Sequence, residues 1–131
     1  MGIESAEEFV RLRTSERPED YLRAAREPAS SEVWDAVIDD HPDMRFWVAQ
    51  NKTVPHSVLE RLADDPDPRV RWMVARKRKA SAALLATLAL DPDPGVRVAV
   101  AQNSSTPDEI LARLRADDVP EVARAAQRTS H

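Results

Sequence analysis

The apolar positions of this 131-residue chain recur in columns, not as one isolated face. Met44, Val70, Val96 and Val122 stand 26 residues apart, and Val48, Val74, Val100 and Ala126 keep the same spacing. Ala49, Ala75 and Ala101 form a third column, and Val58, Leu84 and Ile110 a fourth. Leu59, Leu85 and Leu111 follow in step, then Leu62, Leu88 and Leu114. Arg45, Arg71 and Arg97 make a basic column in the same register. A period of this length is the signature of a stacked repeat, in which each unit buries its apolar face only against its neighbours.

Within one period the pattern predicts two short helices. In the stretch 65–90, Asp65-Pro66-Asp67-Pro68 is a helix start: Asp67 is the expected cap and Pro68 suits the first helical position. Val70, Met73, Val74 and Lys77 then fall at helical spacing on one stripe that ends in a charge. Asn51 and Asn103 stand where the first helix should end, and Asn is a common left-handed terminator there. Thr106-Pro107-Asp108-Glu109 reads as a capping box opening the second helix, with Ile110, Leu111 and Leu114 on its apolar face. Acids such as Asp39, Asp40, Asp64, Asp65, Asp91 and Asp93 recur at helix starts, where capping explains them.

The ends depart from the lattice. Val33, Trp34 and Val37 match Val58, Leu59 and Leu62 at a spacing of 25, one residue short. Ser5-Ala6-Glu7-Glu8 is a further capping box opening a helix to about Arg13, and Pro18 starts another that carries Tyr21, Leu22 and Ala25. The expected organisation is one domain over 1–131, with capping helices in 1–29, repeats in 30–128 and a tail at 129–131.

Composition sharpens this picture. There are 2 glycines and 10 prolines, against average usage of roughly 7% and 5%. Scarce Gly argues against hairpin-rich sheets and against a phosphate-cradling loop. The prolines punctuate the repeat: Pro42, Pro68, Pro94 and Pro120 stand one period apart, as do Pro66 and Pro92. Pro55 and Pro107 lie two periods apart, with Ser81 at the position between them.

These residues resemble a known family. Asp65-Pro66-Asp67-Pro68-Arg69-Val70-Arg71-Trp72-Met73-Val74-Ala75 is similar to the variant leucine-rich repeat, as are its copies from Asp91 to Ala101 and from His41 to Ala49. The Asn-x-x-Thr-Pro element is matched at Asn103-Ser104-Ser105-Thr106-Pro107 and partly at Asn51-Lys52-Thr53-Val54-Pro55. The resemblance covers roughly 30–128. It implies an all-α fold related to HEAT and armadillo repeats, a short right-handed α-α superhelix. Each unit would alternate an α-helix with a shorter helix, often 3-10. About four to five units of this length fit the chain. Members of that family can carry an iron–sulfur cluster on an N-terminal cysteine group. This chain has no cysteine, so no such cofactor is expected.

Charge marks one place on the lattice. The chain carries a net charge of −4, yet Arg69, Arg71, Arg76, Lys77, Arg78 and Lys79 fall within 69–79 with no acid among them. Arg76 to Ser81 also replaces the turn sequence that Gln102 to Pro107 keeps one unit later. The functional reading is an electrostatic site for an acidic protein or for phosphates. The alternative is a solvated turn whose charges offset the helix C-terminus. Phe46, Trp72 and Val98 share a column beside the arginines, which fits either a binding strip or packing against the next unit. Trp34 and Trp47 fall in apolar columns and are expected in the core.

Other chemistry finds little support. His41, His56 and His131 have no partner at zinc-ligand spacing, and no metal site is expected. No serine stands in a nucleophile-elbow pattern. The acidic start is unlike a secretory signal, and Ala6 stands where myristoylation requires Ser or Thr. No window approaches the roughly 18 apolar residues of a membrane span, so a cytoplasmic location is expected. The expected function is a non-catalytic module binding an acidic protein or peptide through Phe46, Arg69, Arg71, Trp72, Arg76, Lys77, Arg78 and Lys79. The alternative is nucleic-acid binding through the 69–79 patch, with a glycosylase-like activity more remote. Weak self-association through the end repeats is a further expectation.

Overall fold

A computed structural model describes residues 2–129 of the chain. Among them are ten α-helices: α1 (Ala6–Thr14), α2 (Pro18–Arg26), α3 (Ser31–Asp40), α4 (Arg45–Gln50), α5 (His56–Leu62), α6 (Pro68–Ala75), α7 (Ala82–Leu88), α8 (Pro94–Gln102), α9 (Asp108–Arg115) and α10 (Pro120–Arg128). No strand occurs among the described residues, apart from one isolated parallel bridge between Ile3 and Ala29. The fold is therefore all-α, and the first helices of successive repeats pack side by side as α6 on α8 and α8 on α10. That is the neighbour-on-neighbour packing of a helical repeat solenoid.

The second helices α5, α7 and α9 are α-helices of seven or eight residues. The 3-10 geometry that the resemblance offers for these elements appears instead at Pro42–Met44, as the entry to α4.

The chain divides into two compact units, one ending at Leu62 and one starting at Ala63. In the first unit α1 packs on α2 and α3, and α4 on α2, α3 and α5. Its centre is Phe9, Leu12, Trp34, Val37, Val48 and Leu59, each with no exposed surface. Phe9 meets Trp34 edge-on, with ring centres 5.5 Å apart. Trp34 is thus core, as its column requires. Its indole Nε1 is buried without a hydrogen-bond partner. Ile3 donates its N–H to the Pro28 carbonyl at 2.8 Å, which ties the leading segment to the α2–α3 connection. That approach explains Gly2: a Cβ there would lie 2.6 Å from the Pro28 oxygen.

In the second unit the lattice columns become the core. Val74, Leu85, Val96, Val100, Leu111, Val122 and Ala126 are all fully buried. Asp67 and Asp93 cap α6 and α8, accepting from the N–H groups of Arg69 and Gly95, with Pro68 and Pro94 at the first helical position. Ser81 takes the lattice place of Pro55 and Pro107, and its hydroxyl accepts from the Leu84 N–H at 3.1 Å. The turn that loses its proline therefore gains a side-chain cap.

Three local expectations need correction. Asn51 and Asn103 do not enter the left-handed region; their φ values are −57° and −74°. No residue has a positive φ among the described residues. Instead each asparagine is buried and turns its side chain onto carbonyls of the preceding repeat. Thr106 does not cap α9: Pro107 holds the N-cap position without a side-chain bond, and the buried Thr106 hydroxyl donates to the Val100 carbonyl at 2.7 Å. Asp65 and Asp91 are not surface caps but buried carboxylates, accepting from the N–H groups of Asp67 and Asp93 at 2.9 Å. Tyr21 and Leu22, placed on α2 as expected, are exposed, and Ala24 is that helix's buried residue.

Candidate interaction site

The lattice arginines divide by what holds them. Arg71 donates from Nε to Asp91 Oδ2 at 2.7 Å and from a terminal nitrogen to Oδ1 at 3.2 Å. Its other terminal nitrogen reaches the Asp65 carbonyl at 2.8 Å. The side chains of Arg71 and Asp91 keep only 15% and 6% of their exposure. The bond to Asp91 raises the Arg71 pKa above its already high ordinary value, against the opposing effect of burial. Arg97 repeats the arrangement on Asp117, at 2.9 and 3.2 Å, and on the Asp91 carbonyl at 2.7 Å. Each arginine thus ties its own repeat's turn to the first aspartate of the next. Arg71, counted among the binding candidates, is committed to this internal clasp.

Arg69 is exposed, but its guanidinium pairs with Asp67 at 2.9 Å. The Arg69 side-chain bond, with its backbone N–H, holds the Asp67 carboxyl below the usual range. Phe46 belongs to the first unit, where it meets Trp47 edge-on at 4.9 Å. Trp47 is half-buried, not core as its column suggested, and the Arg13 guanidinium lies over its ring at 3.5 Å. Arg13 also lies 5.9 Å from the Tyr21 ring centre, a stack that the 26-residue lattice gave no means of seeing.

What remains of the basic run is organised around Arg76 and Arg78. Both are exposed, just past the end of α6. Neither has an acidic partner among the described residues. The Arg76 guanidinium lies over the Trp72 ring at 4.6 Å. Lys77 is half-buried, and Lys79 is exposed with its ammonium pKa lowered by partial desolvation. Arg76 and Arg78 line a cavity of about 330 Å³ together with Ala99, Gln102, Asn103 and Ser104.

The carbonyls at this helix end already have donors. Asn103 Nδ2 donates to the Ala75 and Lys77 carbonyls at 2.8 and 2.9 Å, and Ser105 Oγ donates to the Arg78 carbonyl at 2.6 Å. A guanidinium folding back onto the helix end would have to compete with them.

A second cavity of about 210 Å³ lies between the starts of α6 and α8, lined by Pro68, Arg69, Trp72, Asp93, Gly95 and Val96. Gly95 helps to open it. Arg69 and Glu121 stand at the same lattice position one period away on either side. Gln102 and Ser104 lie one period after Arg76 and Arg78 and join them in the cavity, although the sequence offered them as the ordinary turn of the repeat and not as binding residues.

The described residues contain no cluster of His, Cys, Asp or Glu arranged to hold a metal ion. No described helix is long and apolar enough to cross a membrane.

Against known families, residues 94–119 match the leucine rich repeat variant. The match spans one period of the lattice, from the first residue of α8 to the residue before α10, with the Asn103 turn and α9 inside it. No curated protein and no solved structure matches the chain.

Proposed function

We propose that the leucine rich repeat variant unit at 94–119 and its lattice neighbours form a non-catalytic scaffold that binds an acidic protein or peptide along the α6–α8 face. The observation that carries this reading is the contrast among the arginines. Arg71 and Arg97 are clasped by Asp91 and Asp117, whereas Arg76 and Arg78 border an open cavity with no acid to satisfy them. Guanidiniums without an acidic partner beside a half-buried aromatic such as Trp72 are the usual anchors of protein recognition. They also steer an acidic partner toward this one face of a net-negative chain.

Nucleic acid is the second reading, favoured by the same charges. Against it, Asp93 lines the neighbouring notch, and Arg69, which also lines it, is paired with Asp67. Fluorescence anisotropy with labelled polyglutamate, random-sequence DNA and random-sequence RNA tests the two. The scaffold reading expects polyglutamate to bind, and Arg76→Glu with Arg78→Glu to abolish it. Preferential binding of either nucleic acid, lost in the same variant, would reverse the choice.

A further inference from the structure

Two cavities open on the same pair of helices, one at each end, and Arg76 joins them. Its guanidinium covers the face of Trp72, which lines the apolar notch, while the same group lines the basic cavity. An arginine lying over an aromatic ring keeps its N–H donors in the guanidinium plane, where they can take a carboxylate side-on. The neighbouring carbonyls are occupied by Asn103 and Ser105.

We propose that this face reads a short acidic–apolar peptide segment, with one Glu or Asp side chain held by Arg76 and Arg78 and one aliphatic side chain seated in the Trp72 notch. The proposal rests on the scaffold reading and narrows it to a ligand chemistry. A carboxylate suits the first cavity because Gln102, Asn103 and Ser104 complete a polar wall around the two guanidiniums. An aliphatic group suits the second because Pro68 and Trp72 supply apolar surface above the buried Val96, and Gly95 adds no side chain to obstruct it.

The separation follows from the helix. The eight residues of α6 span roughly 12 Å at about 1.5 Å each. An extended peptide advances about 3.3 Å per residue, so the two anchors should stand about three to four residues apart. A nucleic-acid strand fits less well, since a phosphate carried toward the notch would meet the Asp93 carboxylate.

The test uses the full chain and a series of acetylated, amidated peptides. Each carries one leucine and one glutamate separated by zero to five serines, with leucine-free and glutamate-free controls. Binding is followed by amide chemical shifts. The expected result is strongest binding with two or three intervening serines, with shifts at residues 69–78, 95–96 and 102–104. Arg76→Glu with Arg78→Glu should weaken it at least about tenfold. Gly95→Met, which fills the notch while leaving Trp72 in place, should remove the preference for leucine and spare the glutamate dependence.

Equal binding of the leucine-free peptide overturns the two-anchor proposal and leaves the scaffold reading standing. So does a preference that ignores spacing, or a Gly95→Met variant that keeps the leucine preference. If no peptide in the series binds and polyglutamate also fails, both fall. If a single-stranded oligonucleotide shifts the same residues more strongly than any peptide, the nucleic-acid reading replaces both.

Discussion

The Asn103 side-chain amide donates to the Ala75 carbonyl at 2.8 Å, across 28 residues of sequence and one repeat of structure. The same nitrogen reaches the Lys77 carbonyl at 2.9 Å, and Asn103 Oδ1 accepts from the Ser105 N–H at 2.8 Å. One buried amide thus closes the end of α6 and shapes the turn leading to α9. Asn51 does the same in the first unit, donating to the Ala24 and Glu27 carbonyls and accepting from Thr53. Replacing Asn103 by Ala leaves two carbonyls without these donors and should cost about 2–4 kcal/mol. Urea unfolding measures it, with exposed Ser104→Ala as the control. A loss below about 0.5 kcal/mol, the range of ordinary surface changes, would mean the amide does not hold the repeats together.

The Arg71–Asp91 clasp should behave as a coupled pair. Both side chains are largely withdrawn from water, and removing one partner strands the other's charge. Arg71→Met alone is expected to cost about 3 kcal/mol. Asp91→Asn keeps an acceptor for the Asp93 N–H, so its penalty should come from the lost ion pair. The double variant should be more stable than the sum of the two predicts, by about 1–3 kcal/mol. Strict additivity in a double-mutant cycle would show that the two groups act independently.

Asp117 sets an acid limit on the second unit. Burial alone would raise its pKa, but the Arg97 side-chain bond and the Val119 N–H outweigh that, and it lies below its ordinary 3.8. A depressed carboxylate binds fewer protons folded than unfolded, so its contribution to stability is complete above the unfolded value. It is lost as pH falls through the lower folded value. Asp67, depressed by the Arg69 side-chain bond, adds in the same direction. Stability should therefore be insensitive to these groups near neutrality and should fall below about pH 4. Asp117→Asn should flatten part of that fall. An unchanged acid slope in the variant would remove Asp117 from the account.

Much of this architecture can be read before any coordinates, for a physical reason. A residue that packs against its own copy one unit away must recur at the period, so Val74, Val100 and Ala126 declare themselves by spacing alone. Side-chain destinations are less legible. Asn is common both as a left-handed terminator and as a donor to buried carbonyls, and nothing in the string Asn103-Ser104-Ser105 separates the two. Arg71 looked like Arg76 because charge is visible in sequence while an acid 20 residues away is not. The partners of the basic cavity were within reach, since Gln102 and Ser104 share the lattice columns of Arg76 and Arg78. The stack of Arg13 on Trp47 lies outside the repeat and left no periodic trace.

Gly95 gives the last prediction, and its lattice neighbour decides the sign. Gly95 is exposed in the first turn of α8, at a φ that any residue can adopt. A Cβ added there would meet only Asp93 Oδ1, at 3.0 Å. That contact is close, but Arg69 occupies the same place one period earlier. It already carries a Cβ while its N–H bonds to Asp67 Oδ1 at 2.9 Å. The cap therefore tolerates a side chain at this position. Gly95→Ala removes backbone freedom from the unfolded chain without disturbing the cap, and should stabilise the protein by about 0.5–1 kcal/mol. Thermal and urea unfolding of the variant check it. A destabilised variant would show that the Asp93 cap lacks the slack seen at Asp67, and that the glycine is needed by the helix start as well as by the notch beside it.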